Sequence, residues 1–354
     1  MIYYGICALI PLLFWGIYNN YKRTYNISES NVKSIKKTLT FLSILPMVLI
    51  YVLRYKYVGV DTIGYVRFFQ DEIREYTFTQ LISQDLMRVE VGYRLYVKLI
   101  SLFSDNYTVY FLFNAIIIFG SIYRFVLKYT ENPFVFLFLF MTLGTYSFFE
   151  TGLRQALAMS ICLWAVDFAK NKKLIKFLLT VGLAFLFHKS AAIFLLMYPL
   201  TYLKSRNAIF TVYAVLAVVF AGGFALFQSF FNELVGYEYS IEYTGNGQIF
   251  LILLCVLSAF AYSVNKNGKL PLNDFLLHFT LVTCIMWILR LISRTAERIS
   301  FYFIFGFYAY FSNSTVARKS EVKRVIQTIL LWICFALFVY RNVSTSYTFF
   351  WQGV

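Results

Sequence analysis

Four short stretches of this sequence set charged or amide side chains into otherwise apolar runs, where charge is costly and usually has a task. They are Gly59-Val60-Asp61, the run Phe149-Glu150-Thr151-Gly152-Leu153-Arg154-Gln155, the triplet Phe187-His188-Lys189, and the ladder Arg290, Arg294 and Arg298 with Glu297. A carboxylate such as Asp61 can take a proton from a hydroxyl or bind a metal, and a neutral imidazole such as His188 can shuttle a proton. Planar guanidinium forks match phosphate oxygens. Cys7, Cys162, Cys255, Cys284 and Cys334 are isolated in apolar segments, so neither a disulfide framework nor a zinc site is indicated, and no metal or other cofactor is expected.

Each stretch has a plainer reading beside the chemical one. Asp61 can serve as a helix N-cap before the amphipathic stretch Ile63 to Tyr76. Glu90 precedes Arg94 by four residues, and Glu150 precedes Arg154 by four, so both can form ordinary helical ion pairs. The adjacent Gln155 points about 100 degrees away on the same turn, which suggests a cavity wall more than a single clasp. His188 sits at a hairpin tip beside Lys189 and Ser190, where it can be structural or can hydrogen-bond a phosphate. His278 has less to recommend it, and Asp167 beside Lys170 reads as a paired boundary residue. If one helix continues through Arg290, Arg294 and Arg298, they share a stripe on which Glu297 reaches Arg294. One carboxylate leaves that stripe with an uncompensated charge of about +2 at the edge of a low-dielectric region. A diphosphate supplies the missing charge; snorkelling to anionic lipid is the alternative.

The elements that must position these groups are membrane helices. In 354 residues the chain is 60% hydrophobic and 14% charged, with mean hydropathy +0.66. That is far more apolar surface than a soluble core hides. Apolar runs fall at about 1 to 18, 38 to 53, 107 to 127, 134 to 149, 151 to 169, 174 to 187, 189 to 203, 208 to 231, 248 to 264, 271 to 292, 299 to 312 and 325 to 343. They lack barrel alternation, which predicts an all-α polytopic membrane protein with about twelve transmembrane helices in a single membrane domain, 1 to 354. Residues 1 to 18 read as a retained first helix, because Lys22 and Arg23 follow rather than precede them.

The net charge of +15 sits in short loops and points to topology and anionic lipid, not nucleic acid. Placing inside the loops with Lys22, Arg23, Lys33, Lys36 and Lys37, with Lys170, Lys172 and Lys173, with Lys204 and Arg206, with Lys266 and Lys269, and with Arg318, Lys319, Lys323 and Arg324 fixes the rest. Both termini then face out. So do the loop 54 to 106, the turns at Glu150 and His188, the loop 232 to 247 and the turn 293 to 298. Val91 to Phe103 carries Arg94 and Lys98 and would reverse this parity if it spanned, so it is expected as an interfacial or re-entrant helix. The runs 174 to 187 and 189 to 203 are short of the roughly 20 residues a span needs, placing His188 below the outer surface. Aromatics make up 21% of the chain, and the stretch 236 to 243 mixes rings with carboxylates that suit sugars, although most rings must pack or form interfacial belts.

The pattern resembles the EpsG-type membrane proteins, Wzy-like polymerases of bacterial exopolysaccharide, capsule or O-antigen. The resemblance rests on Gly59-Val60-Asp61-Thr62 with Tyr65, Glu90-Val91-Gly92-Tyr93, Leu153-Arg154-Gln155-Ala156-Leu157-Ala158, Phe187-His188-Lys189-Ser190, and Ala296-Glu297-Arg298-Ile299 before Tyr302. It implies a GT-C-like arrangement in the plasma membrane and glycosyl transfer on its outer face, from an undecaprenyl-diphosphate-linked glycan donor to a lipid-linked acceptor, with a chain-length regulator as a possible partner. Asp61, Glu90 or His188 would take the acceptor proton. Arg154 with Arg290, Arg294 or Arg298 would hold the diphosphate, with Gln155, Glu297 and Tyr302 beside the substrate. A transporter or flippase of lipid-linked glycan would need arginines on both sides of the membrane, and an acyltransferase a histidine-centred site reached from inside.

Overall fold

The computed structural model describes residues 1–24, 28–83, 89–223, 247–265, 271–317, 320–343 and 345–353, together with Leu226, Ser229 and Glu233. Apart from Glu233 and Gly247, the expected outer loop 232 to 247 lies outside the described residues. The aromatic stretch 236 to 243 and Lys266, Lys269, Arg318 and Lys319 lie outside them as well.

The described elements are helical, and no strand occurs among them beyond an isolated bridge between Arg54 and Phe349. In chain order they are α1 (Ile2–Thr24), α2 (Glu29–Val52), α3 (Thr62–Gln70), α4 (Phe78–Ser83), α5 (Val91–Ser101), α6 (Tyr107–Tyr129), α7 (Pro133–Thr142), α8 (Thr145–Thr151), α9 (Leu153–Lys170), α10 (Leu174–Phe185), α11 (Met197–Leu200), α12 (Arg206–Gly222), α13 (Gln248–Asn265), α14 (Pro271–Leu289), α15 (Arg294–Val316) and α16 (Glu321–Asn342). Short 3-10 turns cover Glu72–Glu75, Lys189–Leu196 and Phe350–Gln352.

Five helices, α1, α2, α6, α13 and α16, are long and apolar enough to cross a membrane. A sixth span results if α7 and α8, bent by 58°, are one crossing. The chain is thus an all-helical membrane protein with five to six such spans. The other expected runs are shorter or more polar. α9 carries Arg154, Asp167 and Lys170, while α15 starts on Arg294, Glu297 and Arg298. The run expected at 134 to 149 is broken at Gly144, whose φ of +86° lies in the left-handed region that glycine adopts at little cost.

The chain divides into two compact units, residues 1–160 with 320–354 and residues 161–319. In the first, α1 packs on α2 and α7, α2 on α6, and α16 on α7. Every residue of α7 is buried, whereas α1 and α16 keep apolar faces such as Leu9, Leu13, Ile329 and Trp332 exposed, as lipid-facing helices do. Local signals set the starts. Asn106 Oδ1 accepts from Thr108 N at 2.8 Å before α6, and Asn132 with Pro133 opens α7.

The region 54 to 106 folds as α3, α4 and α5 packed together, with α5 also against α6. At 11 residues α5 is too short to span. It is amphipathic, as expected of an interfacial helix, but its basic residues face protein. Arg94 and Lys98 are both buried, and Lys98 Nζ donates to the carbonyls of Ile73 and Arg74 at 3.3 and 3.2 Å. In the second unit α14 and α15 form a closely packed hairpin, α13 and the turn Lys189–Leu196 lie against α15, and α12 lies against α14.

Candidate functional site

The first unit gathers its charged groups where α8 stops and α9 starts. Gly152 separates them, and a Cβ there would meet the Phe148 ring at 2.8 Å. The break places Glu150 and Arg154 on different helices, so the i,i+4 pair expected between them does not form. Arg154 Nη1 instead donates to Glu90 Oε2 at 2.5 Å, across 64 positions of sequence. The carboxylate is the deeper partner, with side-chain exposures of 3% for Glu90 and 20% for Arg154. Gln155 is buried beside this pair's arginine in the sequence.

Glu150 turns the other way, into the protein. Both its carboxylate oxygens accept from the Tyr4 hydroxyl, at 2.9 and 3.1 Å. It also lies in the electrostatic field of Arg54. Arg54 had no place among the sequence candidates, and its surroundings are unusual. The side chain is wholly buried, with the guanidinium 4.0 Å from the Tyr51 ring centroid and 4.1 Å from that of Phe111. Such stacking offsets part of the desolvation of a buried cation. Nη1 donates to Tyr51 O at 3.0 Å, while Nε and Nη2 have no hydrogen-bond partner among the described residues. The only signal in the sequence was a lone arginine just after an apolar run, the same signal that a snorkelling loop residue gives.

Asp61 holds the N-cap position of α3, but its side chain makes no capping bond and is exposed, so the capping reading fails. Its neighbour Thr62 is buried and donates from Oγ1 to Glu150 O at 2.8 Å. The C-terminal segment closes this end of the unit. Tyr55 N donates to Thr348 O at 2.8 Å, Phe350 N to Leu53 O at 2.9 Å, and the N-terminal ammonium to Thr345 O at 2.9 Å.

In the second unit the arginine ladder is not one stripe. α14 ends at Leu289, the chain turns through Leu291 and Ile292, and Ser293 caps α15 by accepting from Thr295 N at 3.3 Å. The reversal folds Arg290 back onto Glu297, with Nε donating to Oε2 at 2.6 Å. Glu297 therefore pairs with Arg290 and not with Arg294. Here the guanidinium is the deeper partner, with exposures of 7% for Arg290 and 30% for Glu297. Arg294 and Arg298 are exposed on the first turns of α15, and Arg294 makes no hydrogen bond or ion pair with any described residue. A helix N-terminus carries a positive partial charge of its own, so two arginines there reinforce a site for an anion instead of neutralising one.

His188 is buried at the start of the turn Lys189–Leu196, and the Ser190 hydroxyl lies 2.9 Å from that of Tyr302. His278 is structural, with Nδ1 3.1 Å from the Tyr213 hydroxyl and Nε2 3.1 Å from Leu203 O. No group of three or more metal-ligating side chains occurs among the described residues.

A protein-family model described as the EpsG family matches residues 37–352. No curated protein matches, and no solved structure does.

Proposed function

The chain belongs to the EpsG family, and on that premise we propose that it is a glycosyltransferase joining undecaprenyl-diphosphate-linked repeat units into a surface polysaccharide on the outer face of the bacterial plasma membrane. The observation that carries the phosphate half of this reading is the start of α15. The exposed Arg294 and Arg298 flank the Arg290–Glu297 pair at a helix N-terminus, and Arg294 has no ion-pair partner among the described residues. A diphosphate is the ligand class with the matching charge and oxygen geometry.

In this reaction an acceptor hydroxyl oxygen bonds to the anomeric carbon of the donor as the carbon–oxygen bond to the diphosphate breaks. The electron pair leaves on the diphosphate, where the arginines stabilise the developing charge. The hydroxyl proton passes to one of Asp61, Glu90 and His188. Arg154 serves the anionic side together with its neighbour Gln155, and Tyr302, buried beside Ser190, lines the glycan.

The proposed path has twelve crossings in a GT-C-like arrangement with both termini outside. The alternation of basic loops supports it, as does the contact of the N-terminal ammonium with Thr345 beyond the end of α16.

Purified protein incubated with a lipid-linked repeat unit is expected to give a ladder of longer products on a gel, with and without chelator. Arg294→Gln is expected to lose the ladder while still inserting into the membrane. Wild-type protein that yields no product longer than the substrate would overturn the proposal.

A further inference from the structure

Three carboxyl groups of the first unit are treated in three ways. Glu90 is committed to Arg154, and Glu150 is enclosed with Tyr4 in the field of Arg54. Asp61 is exposed, and its carboxylate makes no bond with any described residue. Yet the turn that carries Asp61 is held against Glu150. Thr62 hooks its hydroxyl on Glu150 O, and Thr62 N closes the turn on Gly59 O at 3.2 Å. Gly59 has a φ of +99°, and a Cβ there would lie 2.8 Å from Glu150 O. The backbone can approach that closely only because residue 59 has no side chain. Val60, between these anchors, is 87% exposed. The turn is therefore gripped at Gly59 and Thr62 while it displays Val60 and Asp61.

We propose that Glu150 is a positioning residue for Asp61, which acts as the general base. The carboxylate of Glu150, held by the Tyr4 hydroxyl, locks the end of α8, and its backbone carbonyl fixes the turn that presents Asp61. The inference rests on the polymerase reading and selects one base from its three candidates. A backbone carbonyl alone could come from any residue. A buried carboxylate bonded to the Tyr4 hydroxyl, with the Tyr146 hydroxyl donating to Met47 O at 2.9 Å, ties α8 to α1 and α2, and such precision is what a base needs. Misplacement by about 1 Å costs up to about a hundredfold in rate. In the transfer step the acceptor O–H proton goes to Asp61 Oδ as the new carbon–oxygen bond forms and the diphosphate leaves with the electron pair of the broken bond.

The test compares Thr62→Val, Thr62→Ser and Asp61→Asn in the lipid-linked repeat assay, with wild type as reference. Thr62→Val deletes the hook at nearly constant shape. It is expected to lower kcat about tenfold with the acceptor KM unchanged, and Thr62→Ser to restore it. The fall of kcat/KM at acid pH, where a base is protonated, is expected to persist in Thr62→Val and to vanish in Asp61→Asn along with about a thousandfold of rate. The positioning role is overturned if Thr62→Val keeps full kcat, or loses it only in proportion to unfolded protein with no rescue by serine. The choice of base is overturned if Asp61→Asn retains the acid limb. Both outcomes leave the polymerase reading standing, because that reading fails only if wild type builds no ladder.

Discussion

The two units each bury an arginine–glutamate pair, but they bury opposite partners. In the first unit Arg154 reaches Glu90 across 64 residues, and the carboxylate is the deeper group. In the second, Arg290 meets Glu297 only seven residues on, around a helix reversal, and the guanidinium is the deeper group. The first pair is a tertiary clasp between α9 and the residue before α5. The second is a local staple that leaves Arg294 and Arg298 exposed at the start of α15. The lesson concerns net charge. A long-range pair ties two distant segments together, whereas a local pair amid further arginines adds to the positive end of a helix.

The comparison breaks most visibly at Arg154. Arg154→Met removes the cation 2.5 Å from a carboxylate that is only 3% exposed, and the expected loss is about 3–5 kcal/mol. Thermal unfolding in detergent should show it, with Glu90→Met on the same chain recovering most of the loss. Glu297→Gln removes the charge paired with Arg290 instead, but residue 297 already touches solvent and the amide still accepts a hydrogen bond. The expected loss there is about 1–2 kcal/mol. A ranking of these two variants the other way round would show that depth of the carboxylate is not what matters.

Gly59→Ala forces a side chain into a left-handed turn against Glu150 O and is expected to cost about 1–3 kcal/mol, with product formation falling more than stability. Arg294→Gln sharpens the contrast from the other end. An exposed guanidinium without a partner among the described residues should change stability by less than about 0.5 kcal/mol, yet this substitution is expected to abolish chain extension. Unchanged product length there would reduce the start of α15 to a lipid-facing surface.

Much of the architecture could be read from composition and hydropathy. The all-helical class and the short amphipathic α5 follow from apolar run lengths and from where polar residues interrupt them, whereas of about twelve expected spans five to six are long and apolar enough among the described residues. The pairings could not be read. The expected Glu150–Arg154 contact assumed a helix through Gly152, and the stripe through Arg290, Arg294 and Arg298 assumed one through Ser293. Both helices stop, which sends each charge to a different neighbour. Arg54 carries no signal of its own in the sequence, because an arginine after an apolar run looks the same whether it reaches out to water or folds back between Tyr51 and Phe111.

By itself the sequence determined which side chains would be expensive to bury in a membrane and therefore needed partners or ligands, since transfer cost depends only on residue type and apolar surroundings. Only the tertiary structure decided who those partners are. Breaks at single residues aim side chains, and a charge in low dielectric takes whichever opposite group comes within about 3 Å, however far away it lies along the chain.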